Sequence, residues 1–141
     1  LFPYTTLFRS YRAIKFKEDK SLEKLDCSKK SANSGDNVVE EDRRIFYFKD
    51  NNIETVIYHQ DIKLSEEYSD YYDTMYKEYE SSLKEKYDYE NVDTNITKSE
   101  REILTTVIIY NKTVTKKLGF PEYVNLADAE KTLIDGGYTC K

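Results

Sequence analysis

The sulfur and imidazole chemistry of this sequence rests on three side chains: Cys27, Cys140 and His59. Two cysteines make either one disulfide in an oxidising compartment or two separate thiols, and their wide spacing allows both. With one histidine and no Cys-x-x-Cys pair they cannot complete a zinc quartet, so no metal is expected. His59 precedes Gln60 and Asp61 and is the one candidate general base. No motif places a serine, cysteine or carboxylate to complete a triad with it. It is read as a strand histidine, and neither a catalytic residue nor a cofactor is expected.

Two further groupings invite a chemical reading. From Glu66 to Asp93 there are ten acids against three lysines, a local balance of −7. A cationic partner or a weak Ca²⁺ site near Asp88, Glu90 and Asp93 would suit such a surface. No Asp-x-Asp-x-Asp-Gly loop is present, and a solvated helix face is the expected role. The same stretch holds seven tyrosines. Five of them (Tyr68, Tyr72, Tyr76, Tyr79 and Tyr87) recur with Met75 and Leu83 every three or four residues, which is the stripe of a core-facing helix. Tyr71 and Tyr89 lie off the stripe and are the candidates for an exposed binding patch, suited to a protein partner.

The elements that position these residues follow from patterning. Leu25–Ser31 reads as a short strand, followed by the turn residues 32–37. Val38–Phe48 ends in the β-branched and aromatic run Ile45-Phe46-Tyr47-Phe48, and Lys49-Asp50-Asn51-Asn52 is hairpin chemistry. Ile53–Leu64 alternates, with Val56, Tyr58, Ile62 and Leu64 on one face and Ile53, Thr55 and Ile57 on the other. Ser65 is placed to cap the tyrosine-rich helix, whose first turn is acidic and whose end falls near 88–91. A second hairpin follows: Val92, Thr94 and Ile96 alternate, residues 98–101 turn, and Ile103–Tyr110 is apolar on both faces, as an interior strand is. Residues 111–123 read as a loop. Asn125 with Asp128 forms a capping-box variant for a helix with Leu126, Ala129, Leu133 and Ile134 inward, stopped by Gly136-Gly137. A short extended tail, Tyr138-Thr139-Cys140, closes the chain. The order β-β-β-α-β-β-α plus tail predicts an α+β fold: an antiparallel sheet with helices packed on one face.

Composition sets the bounds. The 141 residues suit one domain. A net charge of −5 and a mean hydropathy of −0.81 give no electrostatic footprint for nucleic acid. No apolar run reaches the roughly 18 residues of a membrane span. The first ten residues, LFPYTTLFRS, resemble the translation of a short-read sequencing adapter and are set aside from the fold. Residues 11–24 are charged and weakly patterned and are expected to be a tether, and 25–141 the domain.

Several features together carry a family resemblance. They are Cys27-Ser28-Lys29-Lys30 before a turn, Phe48-Lys49-Asp50-Asn51-Asn52 in the first hairpin, the tyrosine-rich helix, and the closing segment from Ala129-Glu130-Lys131 to Gly137-Tyr138-Thr139-Cys140. This layout resembles the YehR-like small lipoproteins and their relatives in low-GC Gram-positive bacteria. The resemblance implies an extracytoplasmic domain of unassigned activity, held to the membrane by an anchor expected upstream of residue 11. In that compartment Cys27 and Cys140 would pair as a disulfide between the first strand and the tail. A cytosolic interaction domain with reduced thiols is the alternative.

Overall fold

A computed structural model describes residues 16–33, 35, 37–110, 117–118 and 125–141. The adapter-like decapeptide, the first residues of the expected tether and most of the 111–123 loop lie outside these.

Six strands form one antiparallel sheet: β1 (Glu23–Asn33), β2 (Val38–Lys49), β3 (Asn52–Leu64), β4 (Val92–Ser99), β5 (Glu102–Ile109) and β6 (Thr139–Cys140). Their spatial order is β4-β5-β3-β2-β1-β6. The first three strands are a meander. The second hairpin then returns so that β5, its apolar member, docks on β3 and becomes interior, leaving the more polar β4 at the edge. Among the described residues, helices α1 (Tyr72–Lys86) and α2 (Leu126–Asp135) join the sheet in an α+β fold. The β2–β3 turn is made by Asp50 and Asn51, both at positive φ (50° and 63°), which Asp and Asn tolerate and a type I′ turn requires.

Strand alternation divides the side chains between two faces. Leu25, Cys27, Phe46, Phe48, Val56, Val107 and Ile109 form the main core, and Tyr87 from the end of α1 and Ala129 and Leu133 from α2 close over it. Both helices therefore lie on one face. Ile53 belongs to this core too, contrary to the strict alternation expected for β3. The register passes from Phe48↔Ile53 to Tyr47↔Thr55, so Glu54 is an extra residue. Such a bulge turns Ile53 back to the face of Val56.

The opposite face buries Ile45, Tyr47, Ile57 and Ile108 beneath Phe16 and Leu22. Tyr47 Oη donates to Glu18 Oε2 at 2.7 Å, and the Phe16 and Tyr47 ring centroids lie 5.8 Å apart. The described part of the expected tether is thus a strap laid on the sheet, and β1 begins two residues earlier than its apolar pattern indicates. Among the described residues no helix is long and apolar enough to cross a membrane.

Three local expectations are corrected. Ser65 does not cap with its side chain; its Oγ donates to Asn37 Oδ1 at 2.7 Å, and a 3-10 helix over Glu66–Tyr71 precedes α1. The tyrosine stripe of α1 does face the sheet, but no residue within α1 is fully buried. Each tyrosine carries a hydroxyl that needs a partner or water, so the stripe sits at the margin of the core. Ile134 is 49% exposed, because α2 is held to the sheet along the Ala129–Leu133 line, which is narrower than its apolar pattern.

Candidate functional site

Because α1 leans on the sheet through half-buried tyrosines, it leaves a groove of about 400 Å³ between itself and the main sheet face. Strands β2, β3 and β5 supply Arg44, Tyr58, Gln60 and Thr105 to its floor, α1 and its C-cap supply Tyr79, Ser82, Leu83, Lys86 and Tyr87, and Leu118 stands at one side.

The floor is a preset polar layer. Asp42 receives Arg44 Nε at 3.2 Å on one carboxylate oxygen and the Tyr58 hydroxyl at 2.9 Å on the other. The Arg44 guanidinium lies over the rings of Tyr58 and Tyr138, 5.4 and 5.5 Å from their centroids. Gln60 Nε2 donates to Glu40 Oε1 at 2.6 Å, which fixes the side-chain amide. Burial, then the adjacent Asp42 carboxylate, push the Tyr58 hydroxyl far above the ordinary phenol range, so it remains a hydrogen-bond donor at any physiological pH. Burial opposes the charge on Arg44, but Asp42 and the neighbouring tyrosines outweigh it. On the helix side, Lys86 Nζ stands 5.3 Å from the Tyr87 ring centroid.

The residues singled out by type are distributed differently. Cys27 and Cys140 are joined by a disulfide with an S–S length of 2.04 Å, and the described residues include no free cysteine. Tyr71 is 63% exposed and Tyr89 37%, but they stand at opposite ends of α1. A 15-residue helix spans about 22 Å, so the two rings do not share a patch. Tyr71 packs edge-on against Tyr68, with ring centroids 5.8 Å apart.

His59 lies on the face away from the helices. Its Nδ1 is 3.0 Å from the Thr106 hydroxyl of β5. Burial, followed by the charge of Arg43, lowers its pKa, so the ring is neutral at pH 7. The nearby Asp26 carboxylate is engaged by Arg43 rather than by the imidazole. Farther along this face, Asp61 and Glu102 share Lys63, whose Nζ is 3.9 and 4.0 Å from them. Burial and the Glu102 charge raise the Asp61 pKa.

Motif reading did not find Arg44, Tyr58 and Gln60, yet the sequence holds a signal for them. Arg44 and Asp42 share strand parity with Phe46 and Phe48, and Gln60 shares it with Val56 and Ile62. Polar residues on the core parity of a strand must be hydrogen-bonded or line a wet site. Here they do both.

No family model matches this chain, and neither does any curated protein. Among solved structures, the NMR structure of a protein from Streptococcus pneumoniae TIGR4 is similar, with a TM-score of 0.54. The match has 12% identity and covers 89% of this chain and 90% of that one. At that identity the likeness is one of fold alone.

Proposed function

We propose that this chain is an extracytoplasmic, membrane-tethered domain of a bacterial envelope protein that binds a ligand or partner without transforming it. The observation that carries the compartment is the Cys27–Cys140 disulfide, which uses both cysteines of the chain. Glutathione and thioredoxin keep cytosolic thiols reduced, whereas structural disulfides persist outside the cytosol. The tether rests on the resemblance to small envelope lipoproteins. Binding without catalysis is favoured by the site chemistry. The groove offers donors, rings and fixed charge, while the lone imidazole sits across the sheet from it against a threonine hydroxyl.

Thiol accounting in the native host tests the compartment. Cells are treated with a membrane-impermeant maleimide, and the isolated protein is weighed before and after reduction. The expected result is no adduct without reductant and two adducts after it. Labelling that requires cell lysis would overturn the extracytoplasmic assignment, and two adducts on intact cells without reductant would overturn the disulfide that carries it.

A further inference from the structure

We infer that the groove between α1 and the sheet receives a carboxylate attached to a planar or apolar body, either a small free acid or the carboxyl terminus of a peptide ending in an aromatic residue. This names the ligand class for the binding role proposed above and rests on it.

Charge is the first argument. The chain carries 27 acids against 22 lysines and arginines, and its tyrosine-rich helix lies in the most acidic stretch. Yet among the described residues, the groove lining holds two cations, Arg44 and Lys86, and no carboxylate. The carboxylates nearest the groove, Asp42 and Glu40, stand behind its floor with their oxygens engaged by Arg44, Tyr58 and Gln60, so they offset part of this charge while the groups that face a ligand are cationic or neutral.

The second argument is what those cations have left to give. Arg44 spends Nε on Asp42, and among the described residues its two Nη groups have no hydrogen-bond acceptor. Lys86 contacts the Tyr87 ring and, among the described residues, forms no ion pair, whereas Lys84, in the same helical turn, pairs with Glu80 at 3.9 Å. A lysine near a helix C-terminus is favourable for the helix dipole, which accounts for its presence in that turn but not for its place in the groove. Asp42 and the Tyr58 and Tyr138 rings hold the guanidinium in one plane, so little ordering is needed to present it.

Size and shape set the rest of the ligand. A volume of about 400 Å³ is near the lower end for small-molecule sites. The faces of Tyr58 and Tyr79 and the Leu83 side chain suit a ring or short apolar segment, and the fixed Gln60 amide and Thr105 can orient it.

The test is a titration of the ¹⁵N-labelled full chain with three probes: benzoate, its neutral isostere benzamide, and N-acetylphenylalanine. Benzoate and N-acetylphenylalanine should give saturable amide shifts centred on Arg44, Gln60, Leu83 and Thr105. Benzamide should bind about tenfold more weakly, the worth of one charge-assisted hydrogen bond. Tighter binding of N-acetylphenylalanine would assign the peptide terminus, and tighter binding of benzoate the free acid. Lys86→Met lies on the helix surface and should weaken both acids while leaving the spectrum folded; Arg44→Met should weaken them further. The inference is overturned if shifts do not saturate, if they centre elsewhere, if benzamide binds as well as benzoate, or if Lys86→Met binds both acids unchanged. None of these outcomes alters the thiol count, so failure of the ligand class and failure of the compartment assignment are separable.

Discussion

Cys27 and Cys140 stand directly opposite each other in the register of β1 and β6, bonded, with a sequence separation of 113 residues. Strand β6 has only two residues, and Lys141 N donates to Asp26 O at 2.8 Å just beyond it. The bond therefore ties the chain's last strand to its first across a very small ladder. Closing so long a loop removes much denatured-state entropy, with a ceiling of about 4.7 kcal/mol in the chain-entropy model and typical values of about 2–4. Replacing both cysteines by serine should lower unfolding stability by about 2–4 kcal/mol, read from urea midpoints at constant slope. A loss below about 1 kcal/mol would show that α2 holds the C-terminal segment unaided.

Arg43 grips Asp26 with both ends of its guanidinium fork, from β2 to β1. The Arg43 hydrogen bond is the main cause of a lowered Asp26 pKa. A depressed carboxyl pKa contributes stability that is fully present above the unfolded value, about 3.9, and is lost as pH falls through the folded value. Arg43 is 42% exposed, so screening reduces the pair's worth to about 1 kcal/mol. Asp26→Asn should cost about that much at pH 7, and the difference from the parent chain should shrink as pH falls below the unfolded value and vanish once it is below the folded one. Parallel thermal melts from pH 7 to pH 2.5 measure it.

Asp61 has the opposite sign. Burial and the Glu102 charge raise its pKa, and Lys63 offsets this only in part. A raised carboxyl pKa means that the folded state binds the proton more tightly. Stability therefore falls as pH climbs from the unfolded value through the folded one, and the cost persists above it. Asp61→Asn should stabilise the chain at pH 7 by about 1 kcal/mol and make no difference near pH 3. A lower melting temperature at pH 7 would mean that the ion pair with Lys63 outweighs the repulsion.

These opposed carboxylates show where sequence reading stops. The strands, the Asp50-Asn51 turn, the Asn125 cap and the Gly136-Gly137 stop are local events, each written in two to twelve residues of chemistry, and they were legible. The Glu54 bulge was not. Nothing in Ile53-Glu54-Thr55 distinguishes an extra residue from continued alternation until β2 imposes its register. The strap is hidden in the sequence for a similar reason: Phe16 and Leu22 are isolated apolar residues in a charged stretch, and only the second face of the sheet gives them a place. The groove was half visible. The spacing of Tyr79 and Leu83 marks a sheet-facing stripe, but its tyrosine hydroxyls keep α1 from sealing the polar floor.

The end of α2 gives a prediction on two adjacent glycines with different outcomes. The Tyr138 N–H donates to Leu133 O and the Gly137 N–H to Ile134 O, both at 3.0 Å. This is a Schellman motif, which needs a left-handed residue at the position of Gly137, and its φ is +94°. A Cβ there would also sit 3.3 Å from Lys29 Cε, on the side chain whose Nζ donates to Gly136 O at 2.9 Å. Lysine is flexible and can move; the backbone cannot change sign without releasing Tyr138 and, after it, the disulfide-bearing β6. Gly137→Ala should therefore cost about 1–2 kcal/mol. Gly136 has an ordinary φ of −81°, and a Cβ there meets carbonyl oxygens no closer than 3.4 Å. Gly136→Ala should be neutral or stabilising by up to about 1 kcal/mol, through the reduced freedom of the unfolded chain. Urea unfolding of the two variants side by side decides it: equal losses would mean that both glycines serve close packing, whereas a loss at Gly137 alone assigns the cost to the left-handed backbone.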